Sequence, residues 1–216
     1  MKIKWFGHSA FLITSDEGCK IIIDPYRYKA FELGYEKITE EAQIVVISHD
    51  HNDHDGVKEL PGSPTIVRGE GVKTIGRIEF KGIVTSHEDK DLTPNTVWCF
   101  TVDGVRLCHL GDLGCSFECK LRELTGGVDV LMIPVGSGKP TLSVEAARRV
   151  VEKIKPRIVI PMHYRVPGKC DWEDVHPVDC FLVHGNNVRR LSCSEAVFSK
   201  DRLPEVTEIF VFEPSN

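Results

Sequence analysis

The chain has 216 residues, 41% of them hydrophobic and 27% charged, and a chain of this size can bury a substantial core. Its formal net charge is -5 and no block of lysine and arginine occurs, which argues against a nucleic-acid partner, because such proteins concentrate positive charge on one face. No apolar run reaches the length of a membrane span, and the N-terminal stretch does not resemble a secretory signal. We therefore expect a cytoplasmic protein whose eight cysteines are reduced.

The first half of the chain reads mainly as strands. IKWF, AFLIT and KIIIDP are short and rich in β-formers, and Ser15 to Gly18 predicts a hairpin loop between the last two. The polar stretch from Tyr35 to Ala42 is compatible with a helix. QIVVIS, which ends at Ser48, is typical of a strand buried on both faces. DGVKEL after the next polar segment predicts a short helix with Asp55 as its N-cap.

The second half alternates strands with one clear helix. PTIVR, RIEFKGIVTS, TVWCFTV, VRLCHL, DVLMIP and RIVIP predict strands, and Asp103-Gly104 predicts a hairpin turn. SVEAARRVVEKIK predicts a helix with Ser143 as N-cap and with Pro156 after its end. Its apolar stripe consists of Val144, Ala147, Val151 and Ile154. The tail mixes loops with short strands, and we expect one α/β domain over residues 1–216.

Titratable residues follow several of the apolar strands. The segment SHDHNDHDG, Ser48 to Gly56, holds three histidines and three aspartates. His87, Asp112 and His163 follow three later strands, and α/β folds place ligands at such strand ends. Taken by itself, the histidine-rich segment is also compatible with a polar turn that caps a helix. The four strand ends together favour a metal site.

The spacing within HDHNDH favours two metal positions. His49 and His51 are two residues apart, so in an extended segment they point the same way. Asp53 and His54 come at the start of a turn or helix and can point to a neighbouring position. Imidazole nitrogens and carboxylate oxygens suit Zn²⁺. Asp50 and Asn52, between these residues, are expected to point away from the metals.

The order of these motifs resembles that of the metallo-β-lactamase fold superfamily. The matching pieces are HDHNDH at 49–54, SHED with His87, HLGD with Asp112 and PMHY with His163. The start, WFGHSAFLI and IIIDPY, is similar to the UlaG-like and YtkL-like branch of small metal-dependent hydrolases. The resemblance runs from the first strand to about Tyr164.

The resemblance implies an αββα sandwich with two metal ions at one edge. It assigns His49, His51 and His87 to the first ion, Asp53, His54 and His163 to the second, and Asp112 to both. An aspartate, not a cysteine, stands at the bridging position, so the cysteines are poor ligand candidates. His51 stands where the diiron flavoproteins of the superfamily carry a glutamate. Zinc is therefore the expected metal, with manganese and iron as alternatives.

The implied activity is hydrolysis by a hydroxide that two metal ions hold and activate. The expected substrate is a small ester, lactone, amide or phosphodiester. Asp53 is the expected catalytic side chain, which orients the hydroxide or handles a proton when the leaving group departs. A metal-binding or sensing protein without turnover is the alternative from another class. A nuclease of the RNase Z kind is a further alternative, which the acidic balance disfavours.

Several residues around the implied site stay open at this stage. His8 either faces the metal centre or is a structural histidine. Asp24 either hydrogen-bonds a metal-ligating histidine and fixes its tautomer, or starts a turn before a proline. His109 is expected to pack or hydrogen-bond locally. Lys139 and Arg165 are the nearest candidates for an anion-binding group.

Specificity is expected in the loops around 25–40, 88–95 and 165–180. We expect a small-molecule substrate there. Whether the protein forms a homo-oligomer stays open.

Overall fold

The computed structural model describes residues 1–87, 93–114, 127–136, 141–182 and 187–215. The strands are β1 (Lys2–Gly7), β2 (Ala10–Thr14), β3 (Lys20–Ile23), β4 (Ile44–Val46), β5 (Thr65–Val67), β6 (Gly71–Ile75), β7 (Ile78–Ser86), β8 (Pro94–Val102), β9 (Val105–His109), β10 (Val130–Pro134), β11 (Ile158–Met162), β12 (Val188–Arg190), β13 (Glu195–Val197) and β14 (Glu208–Val211). The α-helices are α1 (Val144–Ile154) and α2 (Val178–Leu182).

These strands form two mixed sheets. The first sheet has six strands in the order β13-β1-β2-β3-β4-β5, and the second has eight in the order β12-β14-β11-β10-β9-β8-β7-β6. β3, β4 and β5 run parallel in the first sheet, and β9, β10, β11, β14 and β12 run parallel in the second. The carboxyl ends of parallel strands meet at one edge of a sheet, which is where polar side chains can converge on a ligand.

The main core lies between the two sheets. Trp5, Ile23 and Val46 of the first sheet share one buried cluster with Trp98 and Leu107 of the second. Side chains alternate along each strand, so the neighbours of these residues face outward. The outward-facing side chains of the first sheet pack into a second, smaller cluster. Helix α1 covers the second sheet. The predicted αββα layering therefore places both sheets back to back, with β4 buried on both faces as its sequence indicated.

The helix predicted for Tyr35 to Ala42 is wrong. This segment has no regular secondary structure, although Tyr35 and Ile38 are buried against the outer face of the first sheet. Tertiary hydrogen bonds fix its backbone instead: the Tyr26 hydroxyl donates to the Glu36 carbonyl at 2.7 Å. The Gly34 N–H donates to the Lys169 carbonyl at 2.7 Å. These partners replace the hydrogen bonds that a helix would supply.

The predicted N-cap at Asp55 is also wrong. A 3₁₀ turn covers Val57–Glu59 and begins after Gly56, which makes no side-chain cap. The Gly56 backbone lies so close to the Tyr26 carbonyl that a Cβ would sit 2.3 Å from its oxygen. Chain packing, not capping, therefore sets the start of this turn.

The helix after Ser143 and the hairpin turn are confirmed. Ser143 Oγ accepts a hydrogen bond from the Ala146 N–H at 3.2 Å, and Val150 is buried where the predicted stripe had Val151. Asp103 and Gly104 both have positive φ and join β8 to β9. The sequence pattern did not predict β6 or α2. No helix in the described ranges has both the length and the apolar character needed to cross a bilayer.

Gly7 provides a test of how tightly the layers pack. Its φ is +121°, and a Cβ there would lie 2.3 Å from the Tyr35 ring. We predict that Gly7→Ala lowers the free energy of unfolding by about 2 kcal/mol or more, because backbone strain and steric overlap add. Gly18→Ala is the matched control, since φ is +86° there but nothing lies within 4 Å. Urea unfolding compares them, and equal losses would contradict the steric argument.

Candidate metal centre

Polar side chains from both sheets meet at one edge of the sandwich. The first sheet supplies His8 after β1, Asp24 after β3 and the segment His49 to His54 after β4. The second sheet supplies His87, Asp112 and His163 after β7, β9 and β11. All of these histidines and aspartates are buried except His51, which is half-buried, and Asp50, which is exposed. The structure thus brings together every residue that the sequence assigned to the site.

The potential ligand atoms fall into overlapping groups. Within each group, these atoms lie no more than 4.8 Å apart. The groups are His49, His51 and His87; His8, Asp53, His54 and His163; and His49, His54 and Asp112. We call His49, His51 and His87 the first half-site, and Asp53, His54 and His163 the second half-site. The resemblance implied these two sets; in the structure His8 also lies with the second half-site, and the third group joins the two half-sites.

Asp112 lies between the two half-sites. Its Oδ1 is 3.1 Å from His54 Nε2, and its Oδ2 is 3.4 Å from His163 Nε2. The same Oδ2 is 3.6 Å from His87 Nε2 and 3.9 Å from His49 Nε2. One carboxylate therefore faces imidazoles of both half-sites, which is the position that a bridging ligand needs.

Several buried polar atoms that face this space have no hydrogen-bond partner. They include His49 Nε2, His87 Nε2 and Asp53 Oδ1; His54 Nε2 and Asp112 Oδ1, although 3.1 Å apart, do not have the geometry of a hydrogen bond. Buried unpaired polar atoms cost free energy and are rare in folded proteins. Imidazole nitrogens and carboxylate oxygens are also the donors that divalent metals of the zinc type accept. The donor set of this chain therefore fits metal ions.

Asp24 orients two of the three histidines that follow β4. Its Oδ1 accepts the Ser48 N–H at 2.7 Å, and its Oδ2 accepts the Ser48 hydroxyl at 2.6 Å. The same Oδ2 lies 2.8 Å from His54 Nδ1, and Ser48 Oγ lies 2.9 Å from His49 Nδ1. Because these oxygens accept, each imidazole carries its proton on Nδ1 and turns the Nε2 lone pair into the site. Of the two readings of Asp24, the geometry supports the hydrogen bond to a site histidine.

His8 holds the second half-site from the turn between β1 and β2. Its Nε2 lies 3.0 Å from Asp53 Oδ2, and its carbonyl accepts the His163 N–H at 3.1 Å. The indole N–H of Trp5 donates to the same carbonyl at 3.1 Å. His8 therefore faces the metal centre and ties the first sheet to the second. His109, by contrast, hydrogen-bonds only to backbone groups among the described contacts: its Nδ1 accepts the Gly111 N–H nearby, as expected, and its Nε2 lies 3.0 Å from the carbonyl of Ser9, 100 residues away in the chain.

Three of these residues have a left-handed backbone. His8, Asp24 and His163 have φ values of 51°, 45° and 53°. For a residue with a Cβ, this conformation costs about 1–2 kcal/mol. Such strain concentrates at sites where the surroundings fix a side chain for function. Here each turn redirects the chain directly after a strand and aims the side chain into the shared edge.

The pKa values reflect the crowding of charge. Burial and the neighbouring His54 lower the pKa of His49 to about 3. Burial also lowers the pKa of His54, but the Asp112 and Asp53 carboxylates outweigh it and raise this pKa well above its ordinary value. Burial would raise the pKa of Asp112, yet His163 and His54 hold it well below its usual range. Metal ions at this site therefore compete with a proton on His54.

The residues between the ligand candidates point away, as the spacing predicted. Asp50 is 88% exposed and pairs with Arg68 at 2.8 Å. Asn52 is exposed. The turn therefore presents alternate side chains to the site and to solvent.

A cavity of about 360 Å³ opens above the centre. Its lining includes the site residues His51, Asp53, Asp112 and His163, together with Phe31, Trp172, Asp174 and Val175. The last four come from the 25–40 and 165–180 loops, where the sequence placed specificity. Phe31 and Trp172 had no signal of their own in the sequence. Arg165 is absent from the described lining, and Lys139 lies outside the described residues.

Comparison with known proteins agrees with this geometry. Residues 2–163 match the model of the β-lactamase superfamily domain. A UPF0173 protein of Pyrococcus furiosus is 32% identical over 81% of this chain and 88% of its own length. A UPF0173 metal-dependent hydrolase of Thermococcus kodakarensis is 29% identical over 76% of this chain and 84% of its own length.

A solved structure extends the similarity to nearly the whole chain. A Thermotoga maritima protein, provisionally named a Zn-dependent hydrolase of the metallo-β-lactamase superfamily, is 29% identical with a TM-score of 0.80. The alignment covers 98% of both chains. The αββα sandwich described above is therefore the metallo-β-lactamase fold.

We predict that Asp24→Ala weakens Zn²⁺ binding about 10- to 100-fold, because it releases the groups that orient His49 and His54. Competition with a chromophoric chelator measures the affinity. Asp50→Ala is the matched control, since this carboxylate is 88% exposed and pairs with Arg68 at the surface. Unchanged affinity in Asp24→Ala would contradict the orienting role.

Proposed function

The chain belongs to the β-lactamase superfamily and to its UPF0173 family, and on this basis we propose that it is a hydrolase that uses two adjacent divalent metal ions. The observation that carries the proposal is the set of buried, unpaired nitrogen and oxygen atoms around Asp112. The first half-site would hold one ion, the second half-site the other, and Asp112 both. Zinc suits this donor set best, and manganese and iron are the alternatives.

The relatives support the activity. Several of them carry the name metal-dependent hydrolase, among them proteins of Thermococcus onnurineus and Carboxydothermus hydrogenoformans. When bound, metal ions supply Lewis acidity, which makes water a nucleophile near neutral pH and stabilises negative charge on the oxygen of a carbonyl or phosphoryl group. We propose a small ester, lactone, amide or phosphodiester as substrate. The cavity fits this size, because small-molecule sites have volumes of about 300–1,000 Å³.

Asp53 is the side chain that we assign to proton handling. It lines the cavity, and its Oδ1 has no hydrogen-bond partner while His8 holds its Oδ2. Burial would raise the pKa of Asp53, but His54 and His8 lower it below its ordinary value, so the group is a carboxylate at neutral pH. A fixed carboxylate with one free oxygen can orient a water molecule and accept its proton.

We also propose that the protein works in the cytoplasm. The described cysteines, Cys19, Cys99, Cys108, Cys170, Cys180 and Cys193, are free thiols. Free thiols are typical of proteins in a reducing compartment.

Metal content and turnover together test the proposed function. The protein is purified, loaded with Zn²⁺ or Mn²⁺, and analysed for metal per chain by mass spectrometry. We predict about two ions per chain and hydrolysis of at least one reporter among a phosphodiester, an ester, a lactone and an amide, with loss of turnover after chelation and its return on reloading. Two ions without turnover over this panel would favour a metal sensor. Fewer than one ion after reloading would contradict the site itself.

Asp53→Asn tests the role of the carboxylate. We predict at least about a 100-fold lower kcat, because general acid–base groups contribute 10²–10⁴-fold. Asp50→Asn changes the same functional group three residues earlier and is expected to retain full turnover, because its side chain is exposed. Metal per chain is measured for both variants. An Asp53→Asn protein with full metal and full turnover would disprove the assignment.

A further inference from the structure

Two aromatic side chains stand together at the open side of the cavity. The Phe31 and Trp172 rings have centroids 6.4 Å apart and are nearly perpendicular. The indole N–H of Trp172 donates to the Phe31 carbonyl at 2.9 Å. Although the two residues are 141 positions apart in the chain, this hydrogen bond joins their loops into one aromatic wall. We use this name for the two rings.

The aromatic wall is continuous with the metal centre. The Trp172 ring lies edge to face against His8 at 5.4 Å and against His163 at 6.0 Å. The same cavity is lined by Asp53 and Asp112 at its base. A group that rests on Trp172 therefore lies directly beside the bond that this centre would cleave.

The backbone around Phe31 adopts a strained conformation. Lys29, Phe31 and Glu32 have φ values of 60°, 48° and 64°, although none of them is glycine. The Phe31 side chain stays 54% exposed, so this conformation does not bury it. Strained conformations of this kind cluster at ligand clamps, where the surroundings fix them. The hydrogen bond from Trp172 is such a fixing contact.

Phe31 also differs from the other exposed apolar residues. Single exposed apolar side chains are ordinary on a protein surface, and Tyr28 and Val72 are two examples here. Neither of these lines the cavity, whereas Phe31 lines it with Asp53 and His163. The position of Phe31, not its exposure alone, indicates a binding role.

Building on the proposed function, we propose that the aromatic wall binds an aryl group of the substrate next to the scissile bond. Perpendicular rings about 4.5–7 Å apart attract one another, so a third ring gains both aromatic contact and burial. A cavity of about 360 Å³ has room for one ring and a small acyl or leaving group. The substrate class is therefore a small ester, lactone, amide or phosphodiester that carries a single aryl ring.

Binding of two product-like acids separates this proposal from catalysis. With the Zn²⁺-loaded protein, phenylacetate is expected to bind about tenfold more tightly than acetate in calorimetry, because its ring leaves water. In Phe31→Ala and Trp172→Ala, the ratio of the phenylacetate affinity to the acetate affinity is expected to fall to about two. Tyr28→Ala, which removes an exposed ring of the same loop outside the cavity, is expected to keep the full ratio. A ratio of one in the unchanged protein would overturn the proposal.

Trp172→Phe separates the ring from the hydrogen bond. This variant keeps an aromatic face, so we expect most of the phenylacetate preference to remain. If both Trp172→Phe and Phe31→Tyr lost the preference for phenylacetate completely, the preference would depend on the structure of the loops. That result would overturn the proposal that the aromatic wall binds the ring. Metal per chain is measured in each variant. If Trp172→Ala loses metal, Phe31→Ala decides the question, because its exposed ring has no contact with the site histidines among the described ring contacts.

Tryptophan fluorescence gives a second readout. Trp5 and Trp98 are 1% and 0% exposed, so only Trp172 can sense a ligand in the cavity directly. Phenylacetate is expected to change the emission of the unchanged protein but not of Trp172→Phe. An equal change in both would contradict the proposed location.

Hydrolysis distinguishes failure of this proposal from failure of the proposed function. If methyl phenylacetate and methyl acetate are cleaved with equal kcat/KM, the protein is a hydrolase without an aryl subsite. If no ester, lactone, amide or phosphodiester is cleaved but phenylacetate binding depends on Trp172, the aromatic wall stands and the proposed hydrolase activity fails.

Discussion

The carboxylate of Asp24 is the contact on which the metal centre depends. It is fully buried between β3 and β4, where burial would raise its pKa, yet the hydrogen bond from His54 and the nearby His109 keep this pKa below its ordinary value. A buried carboxylate persists only when donors surround it, and Asp24 has Ser48 and His54 as partners. The same bonds that satisfy Asp24 fix the histidines, so stability and site geometry have one origin.

The sequence predicted the site better than its surroundings. His49, His87, Asp112 and His163 each follow a strongly apolar strand, and strand ends at one edge of a sandwich converge whatever the intervening loops do. The helix expected at Tyr35 to Ala42 failed for a different reason. This polar stretch is compatible with a helix, but tertiary contacts, such as the bond from the Tyr26 hydroxyl to the Glu36 carbonyl, satisfy the backbone instead.

The aromatic wall shows why local patterns miss part of a binding site. Phe31 and Trp172 belong to separate irregular loops, and neither loop has a periodicity that marks its partner. Their relation exists only after both sheets have formed and brought the loops to the same edge. Loops on a rigid scaffold commonly carry specificity in this way, so the histidines and aspartates at the sheet edge were predictable from sequence and the two rings beside them were not.

Each half-site draws side chains from both sheets. His49 and His51 follow a strand of the first sheet, and His87 follows a strand of the second. In the same way, Asp53 and His54 come from the first sheet and lie opposite His163, which comes from the second. An ion held by either half-site would act as a cross-link between the two sheets. Release of the metal and separation of the sheets at this edge would then be one thermodynamic event, so the concentration of free metal would set how firmly the sandwich stays closed.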